Sequence, residues 1–224
     1  MSITAQRLAE IYPHVYHMAE DGSWDSIREH GLLSTTALLD LYEIRGKARF
    51  AIESQHRPES VTIEHPRHGR AVIRDQIPMR ESSLEQCLDG VTPRQWYELL
   101  NGKVFFWATK QRLLGLLSAR AYRNRSHSVL TIDTRQLVAR YSKTLRLSPI
   151  NSGSTIYKPQ PRGYGTFKLT SAYPFDERRR KRGLANAVAE MCVDYSVPDI
   201  RDFVVRVVRM RGPTDTASIF EKLK

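Results

Sequence analysis

The chain is poor in cysteine. Cys87 and Cys192 are its only two in 224 residues, too few and too far apart for a disulfide framework or a cysteine-built zinc site. They read as reduced core thiols. Uninterrupted apolar runs are also missing, and nothing approaches the ~20 residues that a membrane helix needs. Met1 to Glu20 lacks a basic start followed by an apolar stretch, so no secretory signal is expected there. There is no GxxxxGK[ST] loop, no GxGxxG after a strand, no GxSxG and no HExxH. Those gaps exclude the usual nucleotide hydrolases and dinucleotide oxidoreductases as first choices. No internal repeat and no low-complexity segment is visible. The expectation is a soluble, cytoplasmic protein without a metal.

Acidic residues are in short supply, 24 against 35 basic ones, for a net charge of +11 and a pI near 9.9. Nine of the basic residues are lysine and 26 are arginine. Arginine presents a planar fork of donors that fits phosphate oxygens two at a time, whereas lysine is a flexible point charge. A surplus of this kind favours a phosphate-bearing partner; a merely arginine-rich surface is the bland alternative. The hydrophobic share of 41% and charged share of 26% are those of a globular chain. Its length suits one domain carrying an insertion, over 1–224.

Hydrophobic pattern and turn residues predict the elements. Val15 to Met18 is a strand, followed by a helix that Asp21 or Ser23 can cap and that Gly31 ends. Residues 36 to 57 have a helical apolar face, with Leu38, Leu41, Ile44 and Ala48. Val61–Ile63 and Ala71–Ile73 flank a turn and predict a hairpin. Residues 82 to 101 read as two short helices, the second opened by Thr92-Pro93. The stretch 37–101 is the candidate insertion. Val104 to Trp107 is a buried strand before a helix bearing Leu113, Leu114 and Leu117. Ser128 to Asp133 is another strand, running into a helix around 135–141. Residues 147–162 are rich in turn formers and predict a loop. Two last strands cover 190–195 and 203–210. This order is α+β rather than regular βαβ.

Three patches carry candidate chemistry. The first is Tyr16-His17 at a strand end, followed by Trp24-x-x-Ile27-x-x-x-Gly31-Leu32-Leu33-Ser34. The second is the aromatic strand through Trp107 with Thr109-Lys110-Gln111-Arg112 behind it. The third is Ala189-Glu190-Met191-Cys192-Val193, with Pro198 shortly after. In this order they resemble the ADP-ribosyltransferase superfamily, most closely the DarT-type nucleic-acid ADP-ribosyltransferase toxins and their bacterial relatives. The resemblance covers about half of the chain.

It implies a split mixed sheet with flanking helices and an enzyme that transfers ADP-ribose from NAD, releasing nicotinamide. His17 and Tyr16 would contact NAD. Arg112, with Lys110 as its rival, would hold the phosphates or the reacting end. Glu190 would be the catalytic carboxylate, although a surface carboxylate at a strand start is the plain alternative. Asn151, Ser152 and Gly153 form a tight loop of amides and hydroxyls suited to ribose or diphosphate, and are equally ordinary loop residues.

The run from Arg178 to Arg182, with Arg178, Arg179, Arg180 and Arg182 as candidate substrate contacts, suits a nucleic-acid backbone or a solvated helix face. Arg74-Asp75-Gln76 fits either a substrate contact or a structural ion pair. The implied acceptor is a base in single-stranded DNA or RNA, where reactive atoms are exposed without opening a duplex. The implied setting is a toxin–antitoxin or phage-defence module with an antitoxin partner. An RNA 2′-phosphotransferase-like enzyme and a non-catalytic nucleic-acid binder are the rival readings.

Overall fold

The computed structural model describes residues 2–156 and 159–222. Helix α1 (Ala5–Ile11) leads into strand β1 (His14–Glu20), helix α2 (Trp24–His30) and the short strand β2 (Leu32–Leu33). Helices α3 (Thr35–Leu41) and α4 (Gly46–Glu53) precede the hairpin of β3 (Val61–His65) and β4 (Gly69–Ile73). Next come α5 (Glu81–Glu85), α6 (Pro93–Asn101), β5 (Lys103–Trp107) and α7 (Lys110–Leu117). Strand β6 (Ser126–Asp133), α8 (Thr134–Tyr141), β7 (Leu145–Ser148), β8 (Lys168–Leu169) and α9 (Phe175–Arg182) follow. The chain closes with β9 (Glu190–Asp194), β10 (Ser196–Val197), α10 (Ile200–Phe203), β11 (Val204–Arg211) and β12 (Thr214–Glu221).

Eight strands make one sheet in the order β12-β11-β6-β1-β5-β9-β7-β8. The fold is α+β, as expected, but the sheet is not mixed: each of its described pairings is antiparallel. The segments between paired strands return the chain on the opposite heading, so no parallel crossover is required. Its two halves are joined through a single register pair, Tyr16 with Trp107, where β1 meets β5. By contrast β1 and β6 pair over seven consecutive residues.

Beyond that pair β1 and β5 diverge, and backbone carbonyls there need other partners. The His17 ring nitrogen Nδ1 donates to Phe105 O at 2.8 Å, and Arg74 Nη1 donates to Met18 O at 3.2 Å. Two side chains thus stitch the seam that the strands leave open.

Strand alternation sorts the core. Val15, Ala19, Leu130, Phe106, Met191 and Leu147 face one way, where α1, α2, α8 and α10 supply Leu8, Trp24, Leu137 and Phe203. Tyr16, Met18, Val129, Val208 and Met210 face the other way and meet Leu113 and Leu117 of α7. On that same side, α5 and α6 cover Phe105 and Cys192 with Leu84, Trp96 and Tyr97. The hairpin β3–β4 packs with α3 and α4 in a separate cluster of Leu39, Tyr42, Ile52, Ile63 and Ile73, inside the stretch expected as an insertion.

Several local expectations change. The apolar run over 36–57 breaks into two helices at Tyr42–Arg45, where Glu43 has φ +54°; Gly46, with φ +59°, then opens α4. Ser23 stands before α2 but does not cap it; its hydroxyl donates to Glu20 O at 2.7 Å. Thr92 caps α6 with a reciprocal Gln95 bond and Pro93 at the first turn, as expected. The loop expected over 147–162 begins one residue pair later, because Leu147 and Ser148 finish β7. Strand β12 has no counterpart among the expected elements: nearly all of its residues are exposed, so it shows no apolar alternation.

Gly31 ends α2 with φ +82° and lies against Pro198, so close that a Cβ would sit 2.4 Å from its Cα. Only glycine fits this junction of α2 with the β2–β10 pair.

Candidate functional site

Glu190 opens β9, between Trp107 of β5 and Ser148 of β7. It is 5% exposed, and a carboxylate so buried requires donors. The chain supplies them by turning sharply after β7. Ser148 Oγ donates to Ile150 O at 2.8 Å and accepts from Ile150 N at 3.2 Å, which swings the next residues back over the strand end. Ser152 then gives Glu190 its backbone N–H, at 3.2 and 3.1 Å to the two carboxylate oxygens, and its hydroxyl at 2.7 Å.

Burial pushes the Glu190 carboxyl up to about 7, against the pull of the Ser152 donors and of the Arg112 and Arg162 charges. A carboxyl poised near neutrality in a buried, cation-flanked position is the type of group that function selects.

Arg162 fastens this loop. Its guanidinium donates to Ser152 O (3.0 Å), Ser154 O (2.9 Å) and Gln160 O (3.1 Å), and its backbone is bonded to Cys87 and Asp89. Gly163 follows because a Cβ there would lie 2.1 Å from Asp89 O. Thr155 ties the other limb, its amide to Pro78 O and its hydroxyl to the Arg80 backbone. Arg162 is the residue that sequence reasoning missed. The signal was present: residues 149–163 contain no carboxylate, so an arginine among them must find its acceptors on backbone or on a distant acid.

Arg112 reaches the same place from α7, whose first turn is capped by Thr109. Its Nη2 donates to Asn186 Oδ1 at 2.9 Å, while its Nε is buried with no hydrogen-bond partner among the described residues. Burial lowers the Arg112 pKa and the Glu190 charge raises it. Lys110, its rival, is exposed and lies in the wall of a groove on the Tyr16 side.

The arginines of α9 divide by face. Half-buried Arg178 turns inward, and exposed Arg182 lies four residues on along the same side: the Tyr173 hydroxyl, raised by burial, is pulled back by Arg178, Arg182 and Arg112. Arg182 also donates to Pro149 O at 2.8 Å, and Arg178 Nε is buried without a partner among the described residues. Arg179 and Arg180 turn outward to Asp176, and Lys181 to Glu177. Asn151 and Gly153 flank Ser152, both half-buried; neither contacts Glu190 through a hydrogen bond.

His17 lies elsewhere. Tyr16, Trp107 and Glu190 are direct register partners and so share one face of the sheet. His17, the next residue along, points to the opposite face, edge-on to Phe106 at 6.0 Å. Burial lowers its pKa to about 4, with the bond to Phe105 O opposing and the Arg74 charge adding to the shift. It is a neutral imidazole at the seam, its Nδ1 engaged and its Nε2 unprotonated.

Arg74-Asp75-Gln76 proves to be largely structural. Arg74 sits over the Tyr122 ring at 5.1 Å, Asp75 accepts from the Tyr122 hydroxyl at 2.6 Å, and Gln76 accepts from Arg57 N at 3.0 Å.

Among the described residues, no group of three or more histidine, cysteine, aspartate or glutamate side chains is arranged to hold a metal ion. No helix among them is long and apolar enough to cross a membrane. Cys87 and Cys192 are buried free thiols. The chain matches no curated protein. Residues 13–204 match a family model described as a family of unknown function, DUF7002. That span holds both sides of the seam, Glu190 and the arginines around it, and the chain belongs to the DUF7002 family.

Proposed function

We propose that the protein is an NAD-dependent ADP-ribosyltransferase whose catalytic carboxylate is Glu190 and whose acceptor is a nucleic acid. The observation that carries this reading is the buried Glu190 carboxyl, held by three Ser152 contacts and flanked by Arg112 and Arg162. The order of the three sequence patches supports the family resemblance, and the narrow β1–β5 seam, bridged by one register pair, is in keeping with a split sheet.

Ionised Glu190 accepts a hydrogen bond from a ribose 2′-hydroxyl and offsets the positive charge that builds on the sugar. The ribosyl carbon–nitrogen bond breaks with its electron pair leaving on the nicotinamide nitrogen. An acceptor base nitrogen or oxygen then forms the new bond to the same carbon, and its proton passes to Glu190. Arg112, Arg178 and Arg182 supply positive charge for diphosphate and for the acceptor backbone. His17 projects from the other face of the sheet and takes no part in this step. A toxin or phage-defence effector, kept in check by an antitoxin, is the biological role this reading implies.

The test is incubation with NAD labelled in its adenylate half, together with single-stranded DNA, single-stranded RNA or neither. Label should move onto one nucleic acid, and Glu190→Gln should slow that transfer at least about a hundredfold. Nucleic-acid binding without any transfer would overturn the reading in favour of a non-catalytic binder.

A further inference from the structure

Direct register partners in an antiparallel sheet project from one face. One such line crosses seven strands: Ser148, Glu190, Trp107, Tyr16, Thr131, Arg206 and Glu221. Apart from Trp107 every member carries a hydroxyl or a charge, an unusual stripe on a face otherwise packed with Val129, Val208 and Met210. One end is the Glu190 site. The other opens into a groove of about 520 Å³, the size of a small-molecule site.

The groove has an apolar side, with Leu113, Val129, Val208 and Met210; its polar lining includes Tyr16, Lys110, Arg206 and Lys222, and also the carboxylates Asp215 and Glu221. Tyr16 is half-buried, and burial raises its hydroxyl pKa. Neither the Tyr16 hydroxyl nor the Lys110 ammonium is hydrogen-bonded or ion-paired to a described residue, although the nearby Arg206 is paired with Asp215 at 3.4 Å. Tyr16 is two strands from Glu190, roughly 10 Å at the ~4.8 Å strand spacing.

An apolar wall beside an aromatic ring suits a flat heterocycle, and a free ammonium at its rim suits an attached anion. We propose that this groove binds a nucleotide, its base against Tyr16 and the apolar wall, its phosphate at Lys110, and the remainder following the stripe past Trp107 to Glu190. The direction towards Glu190 rests on the ADP-ribosyl transfer reading; the binding itself does not. The adenylate half of NAD and a nucleotide of the acceptor strand share this chemistry, and the two sources are separable.

The experiment is calorimetric binding of 5′-AMP and of a 5′-phosphorylated dT hexamer to the full chain, compared across wild type, Lys110→Ala and Lys110→Glu. Lys110 is exposed, so both variants retain the fold. Tyr16→Phe, which keeps the ring and removes the hydroxyl, is the fourth protein. At least one probe should bind wild type and lose affinity about tenfold in Lys110→Glu, with Lys110→Ala between. Loss confined to 5′-AMP assigns the groove to the NAD side, and loss confined to the hexamer assigns it to the acceptor.

The proposal is overturned if neither probe binds at millimolar concentration, or if Lys110→Glu binds both as wild type does. Lys110-dependent binding in a protein that transfers no label from NAD would leave the groove standing and remove the transfer reading. Label transfer indifferent to Lys110→Glu, with unchanged binding, would do the reverse.

Discussion

The two halves of the sheet are built to different standards. On one side of the seam β1, β6, β11 and β12 are seven or eight residues long, and β1 and β6 pair without interruption. On the other side β5 and β9 have five residues, β7 four and β8 two. The long half has a regular ladder. The short half replaces ladder with side chain: Ser148, Ser152, Arg162 and Glu190 are all buried there. Backbone hydrogen bonds hold a scaffold at small cost per residue, whereas a buried carboxylate must be surrounded by donors and still destabilises when ionised. The short half is therefore where chemistry is expected, and its stability is conditional on a loop.

The sharpest way to break this difference is at the loop. Gly163→Ala would place a Cβ 2.1 Å from the Asp89 carbonyl oxygen. The backbone must move, the Arg162 clamp with it, and a loss on the order of 3 kcal/mol is expected in denaturant unfolding. An unchanged midpoint would mean that the loop does not hold the short half together.

A smaller effect separates the halves by pH. The folded Glu190 carboxyl titrates near 7, above its ordinary value of 4.5, so the folded state holds that proton more tightly than the unfolded chain does. Its contribution to stability is complete below about pH 4.5 and is lost as pH rises through 7. Glu190→Gln should therefore gain on wild type by roughly 1–3 kcal/mol between pH 5 and pH 8. Parallel pH–stability curves for the two proteins would contradict a buried, proton-holding carboxyl.

Much of this was legible in the sequence. The strand bearing Glu190, the helix bearing Arg112 and the Gly31 stop follow from apolar runs and turn residues. Strand β12 was not, because a strand exposed on both faces has no alternation to read. Nor was the orientation of His17: which face a strand residue takes depends on register across β1 and β5, and a seam joined by one pair leaves no sequence trace. Ser152 was visible only as a loop hydroxyl; its partner lies 38 residues away. The α9 run could not be divided into faces until the helix had a neighbour.

That division is testable. Arg178→Ala with Arg182→Ala should weaken single-strand binding and flatten its salt dependence, by roughly 0.7 in log affinity against log salt for each phosphate no longer neutralised. Arg179→Ala with Arg180→Ala should do much less, since both side chains turn outward to Asp176. Equal slopes for the two double variants would make the whole run a solvated face.

The smallest expected change lies beside the long half. Gly115 is an exposed position within α7, and a Cβ there meets no described residue within 4 Å. Gly115→Ala should stabilise by about 0.5–1 kcal/mol through helix propensity alone, with no effect on the Glu190 site. A loss in thermal unfolding would show that α7 is packed more tightly than its open flank implies.

The most direct test of the central claim is the rate at which label from adenylate-labelled NAD moves to single-stranded nucleic acid in wild type and in Glu190→Gln. The account predicts transfer by wild type and a rate at least about a hundredfold lower in the variant, with its fold retained. Transfer by Glu190→Gln at the wild-type rate would contradict it.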